Sequence, residues 1–306
     1  MRQYRVRAVD RALELGAGAG GPLIMGVVNA SPDSFSDGGR YGSLEKRVDL
    51  ARELVAAGAD ILDIGGESAT TGRPPVPVQE EIERVVSLIE RVLAELDPAG
   101  SVVISVDTYK PAVARAAIAA GARIVNDVSG LRDPALAEVC AETGAALVVM
   151  HTAAAPRVRR QDPDLYADVL AEVLAFLRAR IAVALDAGVA REQLILDPGP
   201  DFAKTPAQTI ELLSRAECLH ELGLPLLWAI SRKDFLGALT GRPPRERLAG
   251  TLAALAHGLD AGAHIFRLHD VAAAADFLAV RAALSGLAGA PRRDLVLAEE
   301  LRHDRA

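Results

Sequence analysis

The stretch Leu226–Gly237, LLWAISRKDFLG, decides how the rest of the chain is interpreted. Its first part, residues 226–230, is a continuous apolar run with the length of a strand that is buried on both faces. An Arg, a Lys and an Asp follow at once, at residues 232–234. A helix start with Ser231 as its N-cap would explain these charges. A lysine at the end of a buried strand otherwise needs an anionic partner, because desolvating an ammonium group costs several kcal/mol. The stretch therefore predicts either a helix cap or a binding site.

The composition favours an α/β protein over a β-sandwich. A chain of 306 residues can form two average domains or a single α/β barrel, which needs about 250 residues. Half of the residues are hydrophobic but only 4% are aromatic, which suits short buried strands and Ala-rich helices rather than a β-sandwich. The net charge of −7 argues against a nucleic-acid-binding surface, which needs a basic patch.

The cysteines and the apolar segments predict a cytoplasmic location. Cys140 and Cys218 lack the spacing of a zinc site or a disulfide framework, so both are predicted to be buried thiols in a reducing compartment. The first residues form no apolar leader, and no apolar stretch reaches the ~20 residues of a membrane span. We therefore expect neither a membrane nor a nucleic acid as a partner.

The chain alternates strand and helix about eight times, which is the number that closes a (β/α)₈ TIM barrel. We predict the barrel over residues 22–290, after a short N-terminal hairpin and hinge over residues 1–21 and before a tail over residues 291–306. The alternative is a doubly wound open sheet with a glycine-rich nucleotide loop. Gly65-Gly66 lacks the spaced third glycine of that loop, so the barrel is favoured.

Most of the predicted barrel strands end in polar residues, and in this fold the carboxyl ends of the strands form the active site. The residues at these ends are Asn29, Asp63 with Glu67, Asp107, Asn126 with Asp127, His151, Asp197, Lys233, and Arg267 with His269. One such residue is more often a cap or a structural group. His151 is interpreted either in that way or as part of a route for an anion. A whole ring of polar residues predicts a binding site.

These residue types suit a flat, nitrogen-rich heterocycle that carries an anion. Asp carboxylates accept hydrogen bonds from ring N–H and amino groups, and an Lys donates to ring nitrogens or carbonyl oxygens. Arg267 and His269 follow the last strand, where this fold often binds phosphate. Asp33, Ser34 and Asp37 in the first loop offer oxygen ligands for Mg²⁺, which often bridges to a substrate phosphate. We therefore expect a heterocyclic diphosphate as the substrate.

Seven motifs of the chain resemble those of the dihydropteroate synthase family. The motifs are IMGVVNASPDSFSDGG (24–39), GADILDIGGES (58–68), ISVDT (104–108), IVNDVSG (124–130), LDPG (196–199), SRK (231–233) and FRLHDV (266–271). Together they span nearly the whole chain. The resemblance implies a (β/α)₈ barrel that joins 6-hydroxymethyl-7,8-dihydropterin diphosphate to 4-aminobenzoate, with Mg²⁺ as the cofactor and a homodimer as the assembly.

The resemblance also implies roles for individual residues. The implied pterin-binding residues are Asp107, Asn126, Asp197 and Lys233. The implied diphosphate-binding residues are Asn29, Arg267 and His269, with Asn29 also a metal ligand. Asp107, Lys233 and Asn29 are the implied catalytic residues. In the mechanism of the family the diphosphate leaves first, and the carboxylate of Asp107 stabilises the pterin-methyl cation that the aromatic amine then attacks.

The amine half of the site departs from the family pattern, and the predicted amine pocket consists of Thr70, Thr71, Phe202 and Asp234. Ala69-Thr70 replaces the family's Thr-Arg pair, and Asp234 stands where the family often has a Ser that receives the aminobenzoate carboxylate. Asp201–Lys204 replaces Gly-Phe-Gly-Lys. Asp234 is expected either to repel a carboxylate or to cap the helix and turn away. The pattern is also similar to divergent actinobacterial paralogues, so the alternatives are another nucleophile at the pterin site or a pterin-binding protein without synthase activity.

Overall fold

The computed structural model describes residues 2–16, 21–30, 43–67, 75–96, 101–286 and 296–297. Two antiparallel strands, β1 (Tyr4–Ala8) and β2 (Arg11–Leu15), precede the barrel. The barrel strands are β3 (Leu23–Asn29), β4 (Ile61–Gly65), β5 (Val103–Asp107), β6 (Ile124–Asp127), β7 (Ala146–Met150), β8 (Leu194–Asp197), β9 (Leu227–Trp228) and β10 (Ile265–Leu268). The predicted tail over residues 291–306 lies outside the described residues except for 296–297.

The eight strands β3 to β10 form one parallel sheet in the order β8-β7-β6-β5-β4-β3-β10-β9. A parallel bridge between Leu196 and Leu226 joins the two ends of this order and closes the sheet. The closed sheet is surrounded by helices, so the predicted (β/α)₈ TIM barrel is confirmed. Because all eight strands run in one direction, their carboxyl ends meet at one end of the barrel.

Nine α-helices lie in the described part of the chain. They are α1 (Leu44–Ala56), α2 (Val78–Leu96), α3 (Pro111–Ala119), α4 (Ala135–Thr143), α5 (Val169–Asp186), α6 (Pro206–Ser214), α7 (Asp234–Thr240), α8 (Leu248–Asp260) and α9 (Val271–Leu284). Thr205 and Gln208 form a capping box that starts α6. No described helix combines the length and the apolar character that a bilayer crossing requires.

Strand β9 is shorter than the apolar run at residues 226–230 predicts. Residues 226–230 are all buried, but only Leu227 and Trp228 pair with β10. Leu226 instead bridges to Leu196 in β8. Strands β8 and β10 therefore pair with different residues of the apolar run 226–230, so each of the two ladders is short.

Cys218 is exposed, which corrects the prediction of two buried thiols. It lies in the short 3₁₀-helix Ala216–Leu222, which begins where α6 stops at Ser214. The buried residues of this segment are Ala216, Leu219 and Leu222, which follow the three-residue period of a 3₁₀-helix, so Cys218 lies on the exposed side. Cys140 is buried in α4 as predicted, and burial raises the pKa of its thiol to about 12.

The N-terminal hairpin covers the end of the barrel where the strands begin. Its buried side chains Val6, Ala8, Leu13 and Leu15 belong to the same hydrophobic cluster as the residues that fill the barrel interior. The hairpin is anchored by a hydrogen bond from the Val9 amide to the Gly144 carbonyl, 2.8 Å long, just before β7. An ion pair between Arg123 and Asp10 adds a contact at the start of β6. The hairpin does not cover the opposite end of the barrel, where the strands end.

Candidate active site

The structure brings the polar residues that end the strands together at the carboxyl end of the barrel. Asn29 is the last residue of β3, Asp107 of β5 and Asp197 of β8, while Asn126 lies in β6 and Arg267 in β10. Asp127 serves the adjacent loop, because its carboxylate accepts hydrogen bonds from the backbone amides of Ser129 and Leu131. The ring predicted from the sequence therefore contains candidate site residues and also a residue, Asp127, whose side chain stabilises a loop.

Asp63 is the centre of a buried hydrogen-bond network at this end of the barrel. Its carboxylate accepts from the Ser105 hydroxyl at 2.6 Å, from Asn126 Nδ2 at 3.0 Å and from Arg267 Nε at 2.6 Å. The Asp63 side chain is fully buried. The sequence placed Asp63 in the ring without a role, and the structure gives it the task of fixing the orientation of Asn126 and Arg267.

Asp107 shares the guanidinium of Arg267 with Asp63. Arg267 Nη2 donates to Asp107 Oδ2 at 2.8 Å, so two of the three guanidinium nitrogens are used by these carboxylates. Burial raises the pKa of Asp107 to about 7, against the opposing effect of the Arg267 charge. A carboxyl group with a pKa near 7 changes its charge in the range where enzymes usually work.

Lys233 and Asp197 lie at the ends of neighbouring strands. Lys233 is the N-cap residue of α7, and its ammonium nitrogen lies 4.3 Å from the centroid of the Phe202 ring. Burial lowers the pKa of Lys233 and raises the pKa of Asp197. Asp197 is held in place by the Gly199 amide, which donates to its carboxylate at 2.7 Å. The Asp197 carboxylate is thus held in a fixed orientation, while Lys233 lies over the face of an aromatic ring.

His269 is neutral at physiological pH. Burial and the charges of Arg232 and Arg267 lower its pKa to about 3. Its Nδ1 lies 3.0 Å from the hydroxyl of Ser231, which fixes the ring. The sequence pairs His269 with Arg267 as an anion site, and of these two side chains Arg267 is the positively charged one.

A cavity of about 310 Å³ opens at this end of the barrel. Asp107, Phe202 and Asp234 line it, so three predicted site residues share one space. Thr70 and Thr71, the other two residues of the predicted amine pocket, lie outside the described residues. Asn126, Asp197 and Lys233 are not part of the lining. The cavity therefore contains two residues of the predicted amine pocket, Phe202 and Asp234, and one predicted pterin-binding residue, Asp107.

Asp234 does not cap α7 and does not turn away from the site, which corrects one of the two expectations. It is the first residue of α7, and its carboxylate forms ion pairs with Arg159 at 3.3 Å and with Arg247 at 3.4 Å. The backbone amide of Asp234 donates instead to the carboxylate of Asp201 at 2.6 Å. A residue 33 positions away in the sequence thus takes the capping role.

Sequence reasoning missed the loop between β7 and α5, which contributes three arginines to the cavity. Arg157, Arg159 and Arg160 all line it. The signal for this loop is the run PRVRRQ at residues 156–161, in which three arginines stand close together. Arg157 pairs with Glu67, whose carboxylate is also bound by Lys110 at 2.7 Å. These contacts tie the loop to the ends of two other barrel units.

His151 lies beneath the site rather than in it. It is buried, and its Nδ1 lies 2.8 Å from the ammonium nitrogen of Lys204, which also donates to the carbonyl of Gly199 at 2.8 Å. Burial and the Lys204 charge lower the pKa of His151 to about 2, so the ring stays neutral and Nδ1 accepts. The pair supports the loop that carries Asp201 and Phe202.

Replacing Lys204 with Met should remove a pH dependence of folding. Burial lowers the pKa of Lys204 from 10.5 to about 7. Between these values the unfolded chain binds a proton that the folded chain does not, so the free energy of unfolding rises with pH there. Below pH 7 the cost of burying the charge is fully present. Urea unfolding should show that the wild type gains stability relative to Lys204→Met from pH 7 to 10.5; a constant difference would contradict the buried ammonium.

The comparisons with known proteins agree with this geometry. The family model of pterin binding enzymes matches residues 25–269. The chain is 44% identical to a dihydropteroate synthase of Bacillus subtilis over 250 residues, which are 81% of this chain and 84% of that protein. A solved Xanthomonas albilineans dihydropteroate synthase with 4-aminobenzoic acid is 42% identical with a TM-score of 0.82, covering 95% of this chain and 100% of its own. Another, in complex with 7,8-dihydropteroate, is 40% identical with a TM-score of 0.78 over 93% and 100%. The chain belongs to the dihydropteroate synthase family of pterin-binding enzymes.

Proposed function

We propose that the chain is a transferase that condenses 6-hydroxymethyl-7,8-dihydropterin diphosphate with 4-aminobenzoate to form 7,8-dihydropteroate and diphosphate. The observation that carries the proposal is the buried network in which Asp63 holds Asn126 and Arg267 next to Asp107. This network presents acceptors and a cation in fixed positions, as recognition of a charged heterocycle requires. The related structures with 4-aminobenzoic acid and 7,8-dihydropteroate support the same substrates.

The pterin ring would be bound by Asp107, Asn126, Asp197 and Lys233. The carboxylates accept hydrogen bonds from ring N–H and amino groups, and the ammonium of Lys233 donates to the ring. The bond between the pterin methylene carbon and the diphosphate oxygen breaks with its electron pair going to the diphosphate. The carboxylate of Asp107 stabilises the resulting cation, because preorganised charge acts where charge develops. The amine nitrogen then bonds to that carbon and releases a proton.

The diphosphate would be bound by Asn29, Arg267 and His269, with Mg²⁺ as the cofactor. Mg²⁺ often binds through one or two protein oxygens together with substrate phosphates, and it supplies positive charge that stabilises the leaving group. The side-chain oxygen of Asn29 fits that role, and the described residues contain no group of three acidic, His or Cys side chains that could hold a metal alone. Asp33, Ser34 and Asp37 lie outside the described residues.

A direct test measures diphosphate release from the pterin diphosphate with Mg²⁺, with and without 4-aminobenzoate. Release that depends on 4-aminobenzoate, together with formation of 7,8-dihydropteroate, is the expected result. Release without the amine would indicate another nucleophile. Binding of the pterin without any release would indicate a binding protein.

The rate should fall as the pH falls below about 7, in step with protonation of Asp107. The pKa of Asp107 is raised to about 7, so its carboxylate is charged above that pH and neutral below it. Only the charged form stabilises the cation, and kcat/KM for the pterin diphosphate reports the free enzyme. We expect a tenfold loss per pH unit, about the slope of one ionisation. Asp107→Asn should lack this limb; because the substrate's own titration affects both enzymes equally, an unchanged ratio of their rates with pH would contradict the role.

We also propose a homodimer in the cytoplasm. Val280 and Leu284 near the end of α9 are 60% and 84% exposed, and a second copy of the chain would shield such apolar side chains. Analytical ultracentrifugation of the full chain tests the assembly.

The thiols of Cys140 and Cys218 form no disulfide, which fits a reducing compartment such as the cytoplasm. Fractionation of cells that express the chain tests the location.

A further inference from the structure

The Asp201 carboxylate accepts hydrogen bonds from two backbone amides beside the cavity. Its Oδ2 accepts from the amides of Asp234 at 2.6 Å and Phe235 at 3.3 Å. Its Oδ1 accepts from the Thr209 hydroxyl, whose oxygen in turn accepts from the Asp201 amide, both at 3.0 Å. Asp201 is thereby held in a left-handed backbone conformation with a φ of 64°. An incoming carboxylate would have to displace this internal one, so it needs a partner elsewhere in the cavity.

The three arginines of the cavity differ in how firmly they are held. Arg157 is paired with Glu67, and the two side chains are only 11% and 6% exposed. Arg160 is paired at 3.3 Å with Asp162, which lies outside the cavity lining. Arg159 is paired at 3.3 Å with Asp234, and this pair is 64% and 49% exposed. Exposed pairs of this kind contribute little to stability, so Arg159 can change partner at small cost.

Asp234 keeps a second cation when Arg159 leaves it. Arg247 Nη1 lies 3.4 Å from the Asp234 carboxylate, and its side chain is only 11% exposed. That nitrogen also donates to the carbonyls of Arg232 and Lys233, at 2.9 and 3.0 Å, which keeps it in place. The negative charge of Asp234 therefore remains compensated in both arrangements.

We infer that Arg159 sets the specificity for the amine substrate by binding its carboxylate, which exchanges with that of Asp234. The inference rests on the proposed function and deepens it. Phe202, Val128, Pro156 and Val158 line the same cavity and give an aromatic ring an apolar surface. The guanidinium of Arg159 presents paired donors to a planar carboxylate. The residue that sets the specificity would thus lie in the loop between β7 and α5.

Binding of 4-aminobenzoate and of its uncharged analogue 4-aminobenzamide tests the inference. Calorimetry on the full chain, saturated with 6-hydroxymethyl-7,8-dihydropterin and inorganic diphosphate, should give about tenfold weaker binding of 4-aminobenzoate to Arg159→Gln, as expected for one lost hydrogen-bonded charge pair. Binding of 4-aminobenzamide should change by less than about twofold. Arg159→Lys should retain an intermediate affinity. Arg178→Gln is the matched control, because Arg178 in α5 pairs with Glu221 at the surface and does not line the cavity; it should change neither ligand by more than about twofold.

Three results would overturn the inference. They are equal weakening of both ligands in Arg159→Gln, unchanged binding of 4-aminobenzoate in that variant, and a wild type that binds neither ligand or prefers the amide. Diphosphate release by the wild type is measured separately. A preference for the carboxylate without release would remove the synthase reaction and keep the role of Arg159. Diphosphate release by the wild type, together with unchanged binding of 4-aminobenzoate to Arg159→Gln, would keep the synthase reaction and remove the role of Arg159.

Discussion

Replacing Arg267 with Met should lower the free energy of unfolding by about 3–5 kcal/mol, the usual cost of removing one partner from a buried charge network. Arg267 is the shared partner of two carboxylates, Asp63 at 2.6 Å and Asp107 at 2.8 Å. The side chain of Asp63 is fully buried, so its charge has no water to replace the guanidinium. Urea unfolding, monitored by circular dichroism, measures the change.

Two further variants separate this charge effect from a loss of packing. Adding Asp63→Asn to Arg267→Met removes the charge that the first change leaves unpaired, so the double variant should recover part of the lost stability. Arg281→Met is the matched control, because Arg281 pairs with Asp260 at the surface and should cost less than about 1 kcal/mol. An Arg267→Met protein as stable as the wild type would contradict the network.

Replacing Lys233 with Met should lower kcat/KM for the pterin diphosphate roughly 100-fold to 1000-fold, the range seen when one preorganised donor is removed from an active site. Its ammonium group lies over Phe202, beside the cavity, and is the proposed donor to the pterin ring. Burial already disfavours the charge, as the lowered pKa of Lys233 indicates. Stability should therefore not fall, and steady-state kinetics combined with urea unfolding would show a loss of activity in a protein that is still folded.

The control for Lys233→Met is a basic residue of the same region that touches no part of the site. Arg242 pairs with Glu246 at 3.0 Å on the surface just after α7. Arg242→Met should leave kcat/KM unchanged. A Lys233→Met enzyme with wild-type activity would exclude Lys233 from the pterin site.

The architecture could be predicted from the sequence because each barrel unit has its own local signal. Apolar runs of strand length alternate with helical segments about eight times along the chain. Parallel strands place their last residues at one end, so the sequence predicts that Asp107, Asn126 and Arg267 lie at the same end of the barrel. These features depend on short-range pattern and on one topological rule.

The contacts that complete the site could not be predicted in this way, because they join residues far apart in the chain. The hydrogen bond from the Asp234 amide to Asp201 spans 33 residues, and the pair of Arg159 with Asp234 spans 75. Neither has a periodic signature. The same holds for Lys204, whose burial beside His151 depends on how two loops pack. An isolated motif shows which residue types are present, but it does not show which of them bind each other.

The position of the hairpin also bears on the order in which the chain folds. The hairpin precedes the barrel strands in the chain, yet its buried side chains belong to one hydrophobic cluster with residues of all eight barrel strands, including Leu227 in β9 and Ile265 in β10. The Arg2 carbonyl lies 3.0 Å from Nε2 of His264, 262 positions later. Contacts of such sequence separation are slow to form and leave apolar surface exposed to aggregation meanwhile. We therefore expect the contacts between the hairpin and β10 to form late, after β10 has been synthesised.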